Sequence, residues 1–415
     1  MINETPNLVS RPHFLENFLI YVGMSRVRLF NLKDRIANIN KCLSWSSSEA
    51  NGIVQKKYNF DPYATAPRQL YLRITEECNY RCKQCHIWKH KDPEDSLTTE
   101  EKLDLIKQFH ALNNKGVVWL TGGEPLKKME EFLKISLLSR ELGLYVGSNT
   151  NASYIVDETT AEIILKEGPN FLVISLDSHI KEIHNYTRGI ETSYDQVLRA
   201  VDLLIKTRNE RFSRHINHIR LECILFEETL PLFKEYVEFC RKLGVDSVSF
   251  QVLSNTFAIQ NKEKDVFYEK HSFKDKGLAK DFLDEIYSNY KNDKFVSIMD
   301  IGLIKDSLDN PNFESPAPVC ESHERNIIVA INGDIQLCFN SHHILKEPFI
   351  GNVRERSLRD LWVSVEAKKA RIAMDKCRLS CGMLHCHRKA SKMSLLKLSM
   401  LMKFIGLRKK LGSLH

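Results

Sequence analysis

Cys78-Asn79-Tyr80-Arg81-Cys82-Lys83-Gln84-Cys85 places three thiols in eight residues, spaced C-x3-C-x2-C, directly after the apolar run Leu70–Thr75. Three thiolates so close together suit a metal centre better than a packed core. They are one short of the four ligands that a closed structural site uses. On an iron-sulfur cube, three thiolates leave one iron open for a small molecule. The reading of the rest of the chain turns on what fills that fourth position.

Leu70–Thr75 reads as the first strand of a regular series. The others are Val117–Thr121, Leu144–Ser148, Phe171–Leu176, Arg220–Phe226 and Ser247–Val252. Between them lie helical segments from Thr98 to about Asn113 (Thr98 as N-cap), then Lys127–Leu142, Asp157–Lys166, Tyr194–Thr207 and Leu230–Leu243. Strands and helices in this alternation imply right-handed βαβ units and a parallel sheet. The expected fold is α/β, a partial (β/α)6 barrel of TIM type. Chemistry in such sheets sits at the C-terminal edge of the strands, where the cysteine loop follows the first strand.

The second strand runs into Thr121-Gly122-Gly123-Glu124-Pro125 at the same edge. Two glycines permit close backbone approach to a ligand, and one acid can accept a hydrogen bond from an ammonium group. Such a run is a weak signal by itself and a specific one beside the cysteines.

With both motifs in hand, residues 68–252 resemble the radical S-adenosylmethionine (radical SAM) superfamily. The resemblance implies that Cys78, Cys82 and Cys85 hold a 4Fe-4S cluster. The amino and carboxylate groups of S-adenosylmethionine chelate the open iron, and Gly122, Gly123, Glu124 and Pro125 form the methionine-binding motif, Glu124 receiving the amino group. Reductive cleavage then gives methionine and a 5′-deoxyadenosyl radical that takes a hydrogen atom from substrate, the protein supplying positioning and shielding. An electron donor such as flavodoxin or ferredoxin is expected. Three strand-end runs match the family with less weight: Asn149 in Ser148–Asn151, Ser175 in Ser175–Ser178, and Arg188 in His184–Gly189, each a candidate cofactor contact. Each run also reads as a loop solvating a strand end. The family usually has an aromatic or large apolar residue before the third cysteine, and here Gln84 stands there.

A second region, 318–390, contains Cys320 and Cys338 in a C-x12-G-x4-C spacing and then Cys377-x3-Cys381-x4-Cys386. It resembles the SPASM and twitch extensions that carry auxiliary iron-sulfur clusters. Five cysteines suffice for one four-thiol 4Fe-4S cluster with one thiol over, so a shortened, twitch-like domain is expected. Cys320 and Cys338 are ligands in this reading, completed by two of Cys377, Cys381 and Cys386. Four thiols also bind zinc, which ranks second here. Ile327–Ile331, Asn332-Gly333 and Asp334–Phe339 read as a hairpin with a two-residue turn, and Leu358–Met374 as a helix.

The remaining segments are a helical lead-in (1–67), a connector (255–317) and a basic amphipathic helix (391–415). Cys42, Cys223 and Cys240 are scattered and read as buried small hydrophobes. The chain has 415 residues and a net charge of +7, and without the forty residues after Asp375 the balance is −3. A near-neutral body argues against a nucleic-acid groove, whose affinity needs phosphate-neutralising charge. No apolar run reaches the ~18 residues of a membrane span. The expected location is the cytoplasm, with peripheral membrane contact through the basic tail or a packed C-terminal helix as its alternative. The expected activity is of oxidoreductase type, on a small molecule such as a sugar or a lipid-linked intermediate. Ribosomal peptide modification is the alternative, and a non-catalytic iron-sulfur or zinc scaffold stands behind both.

Overall fold

The computed structural model describes residues 66–212, 217–253, 265–298, 301–309, 319–320, 322–374, 377 and 387–388. Cys42, Cys381, Cys386, nearly all of the lead-in and the basic C-terminal helix lie outside the described residues.

The expected series is present. In chain order come β1 (Gln69–Thr75), α1 (Thr99–Leu112), β2 (Val117–Gly122), α2 (Met129–Glu141), β3 (Tyr145–Thr150), α3 (Glu158–Glu167) and β4 (Phe171–Ser175). Then follow α4 (Lys181–Arg188), α5 (Ser193–Arg211), β5 (His218–Leu225), α6 (Phe233–Lys242) and β6 (Ser247–Val252). These strands lie in sequence order and all pair parallel. Each presents alternate residues to the helices: Leu70, Leu72 and Ile74 of β1 are fully buried while Gln69, Tyr71 and Arg73 are half-buried. Thr98 caps α1 in a capping box, its hydroxyl accepting from Glu101 N at 3.2 Å while Glu101 accepts from Thr98 N at 2.7 Å. The short helix α4 falls in a stretch that the sequence pattern leaves as a loop. Cys223 and Cys240 are buried, as expected.

The sheet extends beyond six strands at both edges. After α7 (Val266–His271) and α8 (Lys276–Tyr290), β7 (Val296–Ser297) pairs parallel with β6, and α9 (Ile301–Asp309) follows. On the other side lie β8 (Val319–Cys320), α10 (Ser322–Arg325), β9 (Asn326–Val329), β10 (Asp334–Gln336) and β11 (Gly351–Asn352). β9 pairs parallel with β1, Gln69 opposite Asn326. β10 and β11 complete that edge in antiparallel fashion. The hairpin therefore continues the barrel sheet. Its turn is longer than two residues: Ala330 N donates to Asp334 O, and Gly333 takes φ +94°. Ile331 in the turn is buried, which accounts for the longer loop. The expected helix 358–374 is broken into α11 (Leu358–Trp362) and α12 (Val365–Met374), and β12 (His387–Arg388) pairs with β8.

One buried ion pair holds β1 at the point where it leaves the sheet. Lys102, fully buried on α1, donates to Ile74 O at 3.1 Å and to the Glu131 carboxylate of α2 at 2.6 Å. Removing one partner leaves an uncompensated buried charge, whereas replacing both with apolar groups does not. Glu131→Ala should cost about 3–5 kcal/mol in thermal unfolding, and Lys102→Met with Glu131→Leu should recover most of it.

Candidate functional site

The cysteine loop is held from both flanks by backbone. On the β2 side, Gly123 N donates to Thr75 O at 2.7 Å and Glu124 N to Glu77 O at 2.9 Å. A Cβ at Gly123 would stand 2.2 Å from Glu77 O, and one at Gly122 (φ +140°) 2.0 Å from Thr75 O. The two glycines therefore serve close approach to the protein's own cysteine loop, a role the sequence reading gave to a ligand. On the α4 side, Lys83 N donates to Thr187 O at 2.8 Å and Arg81 N to Arg188 O at 3.3 Å. Gly189 caps α4 in the left-handed region, where a Cβ would lie 2.3 Å from Arg81 O. Tyr80, nearly fully buried, donates from its hydroxyl to Gln196 of α5 at 2.6 Å. At the loop's root Asp92 accepts from Glu76 N at 2.6 Å and from Thr75 Oγ1 at 2.9 Å, and pairs with Lys128.

Cys78, Cys82 and Cys85 share this loop, and burial pushes all three thiols up, Cys82 to about 12. Cys85 acts electrostatically on both others, so the three are close. Among the described residues no three His, Cys, Asp or Glu side chains converge on a single-ion position. Thiolates that each bind a different iron of a cube need no such convergence.

Glu124 is buried beside the loop. Its Oε1 accepts from Leu126 N at 3.0 Å and Thr150 Oγ1 at 2.7 Å, and Oε2 from Asn151 N at 2.7 Å. A carboxylate has about four acceptor positions, so one remains. Burial raises Glu124 to about 7, against those three hydrogen bonds, which lower it. Asn151 also reaches Asn79 at 2.9 Å and approaches Cys78 Sγ at 4.0 Å. Asn149, one turn of the pleat away, instead accepts from Trp119 Nε1 at 2.6 Å.

Arg188 projects from the end of α4 to Asp177 Oδ1 at 2.7 Å and to Cys82 Sγ at 4.0 Å. Burial works to lower its pKa, but Asp177 first and then Cys82 outweigh it and hold the guanidinium charged. His184, pulled to about 3 by burial, is neutral and accepts from Asp177 N at 3.1 Å, fixing that turn. Ser175 ends β4 half-buried, in register with Glu222. Thr150, Asn151 and Asp177 thus join the site from within the runs already read in the sequence. Asp92 and Gln196 had no local signal, because their roles depend on tertiary contacts.

Several buried polar atoms here have no partner among the described residues: Gln84 Oε1, Asp177 Oδ2 and Arg188 Nε. With three thiols and the open acceptor position on Glu124, they match a sulfur-bound cluster carrying a polar, zwitterionic small molecule.

At the second cysteine region, Cys338 follows β10 and its sulfur accepts from Asn340 N at 3.2 Å. Cys320 on β8 pairs with His387, the residue after Cys386, and Cys377 follows α12.

Residues 72–216 match the Radical SAM superfamily, and residues 320–387 match SPASM, an iron-sulfur cluster-binding domain. The chain belongs to the radical SAM superfamily. It carries a SPASM domain and takes a 4Fe-4S cluster with S-adenosylmethionine and auxiliary iron-sulfur binding. An AdoMet-dependent heme synthase of Oleidesulfovibrio alaskensis is 24% identical over 47% of this chain and 47% of its own. This radical SAM chain thus spans about half the length of that relative. A tungsten-containing aldehyde ferredoxin oxidoreductase cofactor-modifying protein of Pyrococcus furiosus is 22% identical over 72% of this chain and 81% of its own. The fold is similar to Streptococcus suis SuiB bound to S-adenosylmethionine, with TM-score 0.57 and 17% identity over 82% of this chain and 78% of that one. SuiB has also been solved with the precursor peptide SuiA. No described helix is long and apolar enough to cross a membrane.

Gly123→Ala should push the cysteine loop off β2, at a cost of about 1–3 kcal/mol for overpacking. The expected result is a lower melting temperature with faster amide exchange across residues 76–90 than elsewhere in β1 and β2. Uniform exchange would refute the clamp.

Proposed function

We propose that this chain is a radical enzyme that removes a hydrogen atom from a small-molecule substrate, in an oxidation or rearrangement. The observation that carries this is the Glu124 carboxylate, buried next to the three-cysteine loop, tied to it through backbone and left with one acceptor position. Cys78, Cys82 and Cys85 would hold the cluster. Glu124 would take the amino group of S-adenosylmethionine, with Gly122, Gly123 and Pro125 shaping the backbone around it. Arg188, charged and aligned by Asp177, is suited to an anionic group such as the carboxylate, and Ser175 and Asn149 lie on the side facing the barrel interior. When bound, the cluster and S-adenosylmethionine supply reductive cleavage and hydrogen-atom abstraction. The protein holds the reactants and excludes water. Electrons would come from a flavodoxin or ferredoxin.

Cys320 and Cys338, with two of Cys377, Cys381 and Cys386, would hold one auxiliary 4Fe-4S cluster. The pairing of Cys320 with His387 supports this, because it draws the two ends of the cysteine region together. The names of the two curated relatives refer to heme and to a cofactor, which supports a small molecule. A second reading, modification of a peptide, is supported by the similarity to SuiB, solved with its precursor peptide.

Anaerobic reconstitution followed by reduction with S-adenosylmethionine should give 5′-deoxyadenosine. A protein with a full first cluster that gives none would be a scaffold. Cys78→Ala should abolish cleavage. Cys320→Ala should keep cleavage and lower iron content; unchanged iron would refute the auxiliary site.

Glu124 gives a pH signature. Its folded pKa lies above the unfolded value, so its contribution to stability is full below the ordinary carboxylate range and is lost as pH rises through about 7. An ammonium partner offsets that loss. The rise in melting temperature on adding S-adenosylmethionine should therefore grow as pH passes through about 7, and Glu124→Gln should show a small rise with no such growth.

A further inference from the structure

The inner face of the sheet carries a charged group that the cofactor site does not use. On β5, Ile219, Leu221, Cys223 and Leu225 are buried in the helix-covered core, while Arg220 and Glu222 lie on the opposite face. Arg220 sits between its neighbours on β4 and β6. Its guanidinium carbon is 4.6 Å from the centre of the Phe171 ring, and its Nε donates to Ser247 Oγ at 3.0 Å. Its two terminal nitrogens have no hydrogen-bond partner among the described residues. Glu222 is close on the same face but does not bond to it. The Glu222 carboxylate is held by Ser249 Oγ and by Gln251 Nε2, each at 2.9 Å.

Arg220 is half-buried, and its two unused terminal nitrogens keep accessible surface, so a ligand that enters the barrel can hydrogen-bond to both. Burial lowers its pKa, and Glu222 works against that drop. The fork of N–H groups matches a planar oxyanion in a bidentate manner. Glu222 reduces the local positive potential, so a singly charged carboxylate suits the site better than a doubly charged phosphate. Arg220 is in register with Val173 and Ser247, one inward-facing layer below Ser175, Glu222 and Ser249. That is about 7 Å deeper than the end of β4; on β5 and β6 it is two layers, about 13 Å, below Ile224 and Gln251 at the edge where the cysteine loop lies, beside Phe171 and Ser247, which begin β4 and β6.

We infer that Arg220 binds a carboxylate of the substrate inside the barrel, with Phe171 packed against the guanidinium, so that the rest of the substrate extends toward the cysteine loop. This rests on the enzyme reading above.

The test uses saturation-transfer NMR on the reconstituted, oxidised protein with propionate and methyl phosphate as probes, for wild type, Arg220→Gln and Arg220→Lys. Propionate should bind wild type more tightly than methyl phosphate does. Arg220→Gln should lose about tenfold or more, as expected for a charge-assisted bidentate pair. Arg220→Lys, which keeps the charge without the fork, should fall between. If Arg220→Gln fails to take up iron, Arg220→Lys carries the comparison, and binding equal to wild type overturns the inference. So do propionate binding indifferent to Arg220, no propionate binding to wild type, or a preference for methyl phosphate. Reductive cleavage of S-adenosylmethionine without substrate is measured on the same preparations and should persist in both variants. Its absence from wild type would overturn the enzyme reading; its presence with propionate binding indifferent to Arg220 would overturn the carboxylate site only.

Discussion

The backbone clamp on the cysteine loop is the constraint on which the rest of the site depends. Connecting loops are ordinarily more mobile than the elements they join. Here Gly123 and Glu124 of the β2 end donate into Thr75 and Glu77, and Lys83 and Arg81 donate into the end of α4. These bonds couple the loop to strand ends that are themselves fixed by the sheet. The thiols, Glu124 and Arg188 are therefore positioned by three neighbouring elements, and the one long side chain among them, Arg188, is fixed by its pair with Asp177. Preorganisation of this kind is what a site needs when the protein's task is to hold and shield reactants.

Much of this was legible in the sequence, for reasons that differ by residue. The strands could be read because Leu70, Leu72 and Ile74 alternate with half-buried neighbours, and α1 because Thr98 and Glu101 form a reciprocal cap. The cysteine spacing and the Gly-Gly-Glu-Pro run mark the sheet edge directly. Less legible was everything decided by tertiary contact. Gly122 and Gly123 look like ligand-binding glycines in one dimension; only the fold shows that Thr75 and Glu77 occupy the space a side chain would need. α4 is only eight residues long, polar in composition and begins without a capping side chain, so it gave little signal. Asn149 and Asn151 are two residues apart on one strand end, yet the first is taken by Trp119 and the second by Glu124 and Asn79. Composition could not separate them.

The second cysteine region is likewise joined to the first in a manner that spacing could not reveal. Arg354 forms a bidentate pair with Glu101, the capping residue of α1, and Leu358 N donates to Gln108 on the same helix. Leu97 N, just before α1, donates to Ile331 O in the hairpin turn. The N-terminal end of α1 thus faces both the strand that leads to the first cysteine loop and the hairpin that leads to Cys338. A segment that reads as a separate appendage in one dimension is built onto the same helix.

The pairing of β9 with β1 also bears on how the chain is made. Residue 326 must return to residue 69 before β1 has a neighbour on that side. Until then the nascent barrel carries an open strand edge, with Gln69–Leu72 offering unpaired backbone groups to any extended segment nearby. The separation in sequence makes this a late, long-range contact. Completion of the sheet is consequently a late event: a chain truncated before residue 326 would leave Gln69–Leu72 without the partner that β9 supplies.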